Sequence, residues 1–119
     1  MKSSTVLVLL AIALRASAAD WPTFRGADRT DISTETGLLK QWPDGGPKKV
    51  WESDAGGLGY SGFAIVGGVL YTSGSQEGKE YARAFDANKG ELKWKTEIGD
   101  LLTNNWGDGP RATPTVDGD

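Results

Sequence analysis

The chain has 119 residues and contains neither cysteine nor histidine, which excludes disulfides, thiol nucleophiles, imidazole bases and histidine metal ligands. Its 13 basic residues are outnumbered by 16 acidic ones, a formal net charge of −3, so it carries no electrostatic footprint for nucleic acid or anionic lipid. With 17 glycines and 5 tryptophans, the composition suits short strands joined by tight turns around aromatic packing.

Lys2, an unbroken apolar run over residues 6–14 and the small-x-small triplet Ala16-Ser17-Ala18 form a secretory leader. The sequence predicts a signal peptide over residues 1–18, cleaved after Ala18, and hence a protein exported to the periplasm or the extracellular space. The run is shorter than the roughly 20 apolar residues a bilayer helix takes. No membrane span is expected once the leader is gone.

Residues 19–48 show no apolar period of 2 or 3.6 residues. They carry turn signals instead: Trp21-Pro22, Arg25-Gly26 and the run Pro43-Asp44-Gly45-Gly46-Pro47. An extended strap is expected here, anchored by Trp21, Phe24 and Trp42, with one helical turn over residues 33–40.

Beyond it the pattern changes. Residues 49–53 alternate around Trp51 and predict a strand. The stretch "FAIVGGVLYTSG" reads as strand, Gly67-Gly68 turn, strand, because two glycines supply the positive φ of a two-residue hairpin. A polar loop is expected over residues 75–79. Tyr81 to Phe85 should form the next strand, with Ala82 and Ala84 on one face and Tyr81, Arg83 and Phe85 on the other. Asp86 and Gly90 bound a turn, Asp86 bonding the backbone ahead of it and Gly90 taking the left-handed position. Residues 91–95 close the set with Leu92 and Trp94 directed inward. Residues 62–97 are thus predicted to make a four-stranded antiparallel meander, which needs neighbours to be stable.

Two echoes run along the chain. Leu-Lys-Trp-Lys-Thr around Trp94 repeats Lys-Val-Trp-Glu-Ser around Trp51, and "TPTVDG" at 113–118 repeats "FAIVGG" at 63–68. A spacing of about 40–50 residues with four strands per unit is the pattern of propeller blades. On this reading the chain is all-β, an incomplete N-terminal part of a β-propeller. Residues 49–53 are the outer strand of the closing blade, 62–97 the first full blade and 112–119 the start of the next. The partners are first of all the remaining blades.

The pattern Ala84-x-Asp86-x-x-Lys89-Gly90-x-x-x-Trp94 is similar to the tryptophan-docking motif of the pyrroloquinoline quinone (PQQ) repeat family of β-propellers, with Lys89 where that family usually has Thr. "VGGVLYTSG" resembles its opening strand pair. "WPTFRG", "ETGLLKQWP" and "GDGPRATPTVDGD" resemble exported bacterial members. The resemblance covers roughly residues 20–119. It implies either a non-enzymatic propeller such as the BamB-type assembly factors, which bind peptides or partner proteins, or a quinoprotein dehydrogenase holding PQQ and calcium to oxidise an alcohol or sugar. The lipoprotein Cys of the former is absent, and no cofactor ligand is assignable here.

Trp94, with Trp51, Ala84, Asp86 and Gly90, is read as structural, an indole wedged between blades with Ala84 and Gly90 leaving it room. The candidate binding residues lie in "GDLLTNNWGDGPRATP" (99–114), longer than the matching connection after Trp51. Asn104, Asn105, Trp106, Asp108 and Arg111 offer amides, a carboxylate, a guanidinium and an aromatic face. The competing reading is a rigid loop in which Asp108 and Arg111 merely pair. Tyr60 and Ser61 occupy the equivalent loop of the first unit. No catalytic residue is assigned. The expected function is an exported binding or scaffold module for a protein or small-molecule ligand.

Overall fold

The computed structural model describes residues 18–118; the expected leader lies outside them except for Ala18. Four strands, β1 (Ala64–Val66), β2 (Val69–Gln76), β3 (Lys79–Asp86) and β4 (Leu92–Asp100), form one antiparallel sheet in the order β1-β2-β3-β4. The expected meander is therefore present.

The turns explain the order. Gly67 and Gly68 have φ of 58° and 77°, the two positive values that a twist-matched hairpin requires. Glu77 and Gly78, at 52° and 77°, make a second turn of the same kind. The polar loop expected over residues 75–79 therefore shrinks to two residues, and Ser75, Gln76 and Lys79 join the ladder with Gln76 opposite Lys79. In the third turn Asp86 Oδ1 accepts the amides of Asn88 and Lys89 at 2.9 and 3.0 Å, and Gly90 sits at φ 72°, as expected.

A β-bulge corrects the last strand. Ala84 pairs with Trp94 but Phe85 pairs with Leu92, leaving Lys93 as the extra residue. Because one inserted residue reverses the alternation, Leu92 and Trp94 point to opposite faces rather than inward together. The result is two rows across the sheet. Ala64, Tyr71, Ala84 and Trp94 line one face; Ile65, Leu70, Phe85 and Leu92 line the other. Small residues alternate with aromatic ones in the first row, where the Tyr71 and Trp94 rings meet at 6.2 Å between centroids. Ala64, Ala84 and Phe85 are the buried hydrophobic core.

Both outer edges near β1 are covered by backbone. Trp21 exchanges two hydrogen bonds with Ile65, at 2.7 and 2.9 Å. Past the end of β1, the free edge of β2 is met by Leu58, whose amide and carbonyl bond Ser75, and by Ser61 Oγ, which accepts the Ser73 amide. Such cover blunts an edge that would otherwise template further pairing.

Elsewhere the strap differs from expectation. Trp21 anchors it, but Phe24 and Trp42 are exposed. Residues 33–40 form no helical turn; the Ser33 hydroxyl instead accepts the Glu35 amide, a local bond that competes with helix. Residues 49–53 and 112–118 carry no strand ladder among the described residues. Trp51 is held by its side chain, and Val116 donates its amide to Pro22 O at 2.8 Å. Among the described residues no helix is long and apolar enough to cross a membrane.

Candidate functional site

The long loop after β4 is tied down at its base. Leu101 donates to Gly78 O, and Leu102 donates to Glu80 Oε1 at 2.9 Å. Beneath it, Lys79 Nζ bonds Asp100 Oδ1 at 2.7 Å and lies 3.2 Å from Glu97 Oε1. The hydrogen bond to Asp100, then that to Glu97, raises the Lys79 ammonium above its ordinary value, and the same bond to Lys79 lowers the Asp100 carboxyl.

The loop tip is braced from within. Asn104 Oδ1 accepts the Trp106 amide at 2.8 Å, and Asp108 Oδ1 accepts the Asn104 amide at 3.2 Å. Arg111 donates to Gly107 O at 2.6 Å and Gly109 O at 2.9 Å, and reaches Asn104 Oδ1 at 3.4 Å. The Asp108–Arg111 pair of the competing reading does not form; backbone carbonyls use the guanidinium fork instead. Fork geometry suits several oxygens held in one plane.

The first-unit loop meets this one directly. The Arg111 guanidinium lies 4.8 Å from the Tyr60 ring centroid, within cation–π range. Tyr60 N donates to Pro110 O, and Ser61 Oγ lies 2.7 Å from Ala112 O. Gly107 permits the approach: a Cβ there would stand 2.8 Å from Tyr60 Cε2. The structure thus brings Tyr60, Ser61, Asn104, Asp108 and Arg111 into one cluster, with Asn105 and Trp106 carried at its tip. Asn104 Oδ1, Asp108 Oδ1, the Arg111 guanidinium and Ser61 Oγ are spent on the scaffold. Trp106 is 89% exposed, and Tyr60 is exposed as well.

The indole expected at Gly90 is a different one. Trp51, not Trp94, packs on Gly90, where a Cβ would come within 2.6 Å of Trp51 Cδ2, and Trp51 Nε1 donates to Ala87 O at 2.9 Å. The Asp86-to-Gly90 turn is therefore a seat for a tryptophan from outside the sheet. Trp94 lies over Ala84 on the opposite face, 44% exposed, beside a cavity shared with Tyr71 and residues 114–118.

One cluster was not legible beforehand. Arg83 is 1% exposed, donates to Gly74 O and reaches Gln76 Oε1 at 3.3 Å, and lies 5.2 Å from the Tyr81 ring. Its Nε has no partner. Lys95 Nζ also bonds Gln76 Oε1, at 3.1 Å, and lies 4.8 Å from the same ring. Burial lowers the Arg83 pKa, with Tyr81 opposing, yet an arginine stays charged. The only advance signal is an Arg in step with Phe85 along β3.

Among the described residues no three side chains from His, Cys, Asp and Glu converge as a metal seat.

Comparison with family models, with curated proteins and with solved structures gives no match. The site stands on its geometry alone.

Proposed function

We propose that this sheet is one blade of an exported β-propeller of the PQQ-repeat type, acting as a binding or scaffold module. Two features support the architecture. Each face of the sheet carries an aromatic-bearing row, so each calls for cover. The Asp86–Gly90 turn already receives one tryptophan from outside the sheet.

The observation that carries the binding role is Trp106, 89% exposed on a loop braced internally through Asn104 Oδ1, Asp108 Oδ1 and the Arg111 guanidinium. An indole presented on a braced base loses little conformational freedom when a partner covers it, the property that makes tryptophan an anchor in interfaces. Trp106, Asn105 and Tyr60 are the contact residues of this proposal; Asn104, Asp108, Arg111 and Ser61 hold them in place. The ligand is a protein surface or small molecule with an apolar group to stack.

A photo-crosslinking side chain at Asn105 of the full-length exported protein tests this. The expected result is a discrete adduct that disappears in Trp106→Ala. Adducts indifferent to that substitution would remove the role of Trp106. Incubation with PQQ and calcium is expected to give no dye-linked alcohol or sugar oxidation; turnover would replace the scaffold reading with a quinoprotein dehydrogenase.

A further inference from the structure

We propose that leader cleavage creates an electrostatic latch: the new α-ammonium of Ala19 pairs with Glu35 and closes the strap on itself beside the sheet edge that Asp20 and Trp21 hold. The proposal rests on the expected cleavage after Ala18. It does not depend on the binding role of the loop.

The residues following that bond are already positioned. Ala19 N donates to Glu35 Oε1 at 2.5 Å. Asp20 Oδ1 accepts the Gly67 amide at 3.0 Å, in the β1–β2 turn. Trp21 makes its two backbone bonds to Ile65, and a Cβ on Gly26 would stand 2.9 Å from the Trp21 ring. Three successive residues are thus each fixed to a different part of the fold. Ala18 and Ala19 are exposed, so a peptidase can reach the bond between them.

The surroundings lack one charge. Among the described residues, a small cavity beside Ala19 is lined by the acidic Asp20, Asp28 and Glu35 and by no lysine or arginine. In the uncut chain the Ala19 group that meets Glu35 is a neutral amide. Hydrolysis of the Ala18–Ala19 peptide bond consumes one water, leaves a carboxylate on the departing leader at Ala18, and frees an amine at Ala19 that takes up a proton at neutral pH. The bond, which before cleavage has one ionised partner, becomes an ammonium–carboxylate ion pair with both partners charged, beside the further carboxylates of Asp20 and Asp28 in the cavity lining. Processing would therefore order the strap as well as release the protein.

The test uses the exported, processed full-length protein. Intact mass fixes the first residue, expected to be Ala19. Reductive methylation with ¹³C-formaldehyde then reports the titration of the terminal amine by NMR. Its pKa is expected about half a pH unit above the ordinary value of roughly 7.7–8.0, and to return to that value in Glu35→Gln. A first residue other than Ala19 overturns the cleavage reading and the latch with it. Ala19 at the terminus with an ordinary pKa, or a raised one unchanged in Glu35→Gln, overturns the latch alone.

Discussion

The indole of Trp51 packs directly on the backbone of Gly90 and donates its Nε1–H to Ala87 O. This contact joins the strap side of the chain to the β3–β4 turn. It also assigns the glycine of the Asp86–Gly90 pattern its task, since positive φ and close approach are both required at one position.

Gly90→Ala is accordingly expected to destabilise the protein by about 2–4 kcal/mol, combining left-handed strain with overpacking against Trp51. Gly78→Ala, at a similar φ but with open space around it, is expected to lose only about 1–2 kcal/mol. Urea midpoints of the two variants compare them directly. Equal losses would show that Trp51 does not occupy the Gly90 seat.

Trp94, 44% exposed over Ala84, is expected to lose about 2 kcal/mol on truncation to Ala, below the range of a fully buried tryptophan. A loss of 4 kcal/mol or more in the full-length protein would mean that further chain covers it, as a neighbouring blade would.

Gln76 holds a neutral oxygen between two cations, the Nη2 of Arg83 and the Nζ of Lys95. Gln76→Glu places a carboxylate there and is expected to raise stability by about 0.5–1 kcal/mol at pH 7. The gain should vanish as pH falls below about 4 and the new carboxyl takes up its proton. Thermal unfolding at pH 7 and pH 3 measures both halves; a loss at pH 7 would show that the guanidinium and ammonium do not share this oxygen.

The Lys79–Asp100 pair makes stability depend on acid. Asp100 is depressed in the folded state, so its contribution is complete above the unfolded carboxylate pKa of about 4 and is lost as pH falls through the lower, folded value. Lys79 is raised from 10.5, so its share persists through neutral pH and fades only as pH rises through the folded value. Asp100→Asn should therefore be less stable than the native chain at pH 7 and equal to it at pH 2, by urea titration at each pH.

Trp106→Ala removes a side chain that packs against almost nothing and is expected to change stability by less than about 0.5 kcal/mol. Arg111→Ala, by contrast, frees the carbonyls of Gly107 and Gly109 and the face of Tyr60. It should raise hydrogen exchange across residues 104–111 while leaving β1–β4 protected. Unchanged exchange in the loop would show that Arg111 is not its brace.

The sequence by itself determined the four-stranded meander, because its signals are local: paired residues of positive φ at 67–68, an Asp cap at 86, and β-branched and aromatic runs between them. It also marked the loop after β4, whose residue types stand out in a poor chemical set. Three things were decided only in three dimensions. The bulge at Lys93 sends Leu92 and Trp94 to opposite faces, since one unpaired residue cancels a period of two and nothing in residues 91–95 announces it. Trp51 rather than Trp94 takes the Gly90 seat, because which of two similar tryptophans reaches a turn depends on the path of the chain between them. Of the polar residues in the loop, most are consumed by its own backbone. A donor or acceptor in sequence is a ligand for whatever lies nearest, and the fold alone sets what that is.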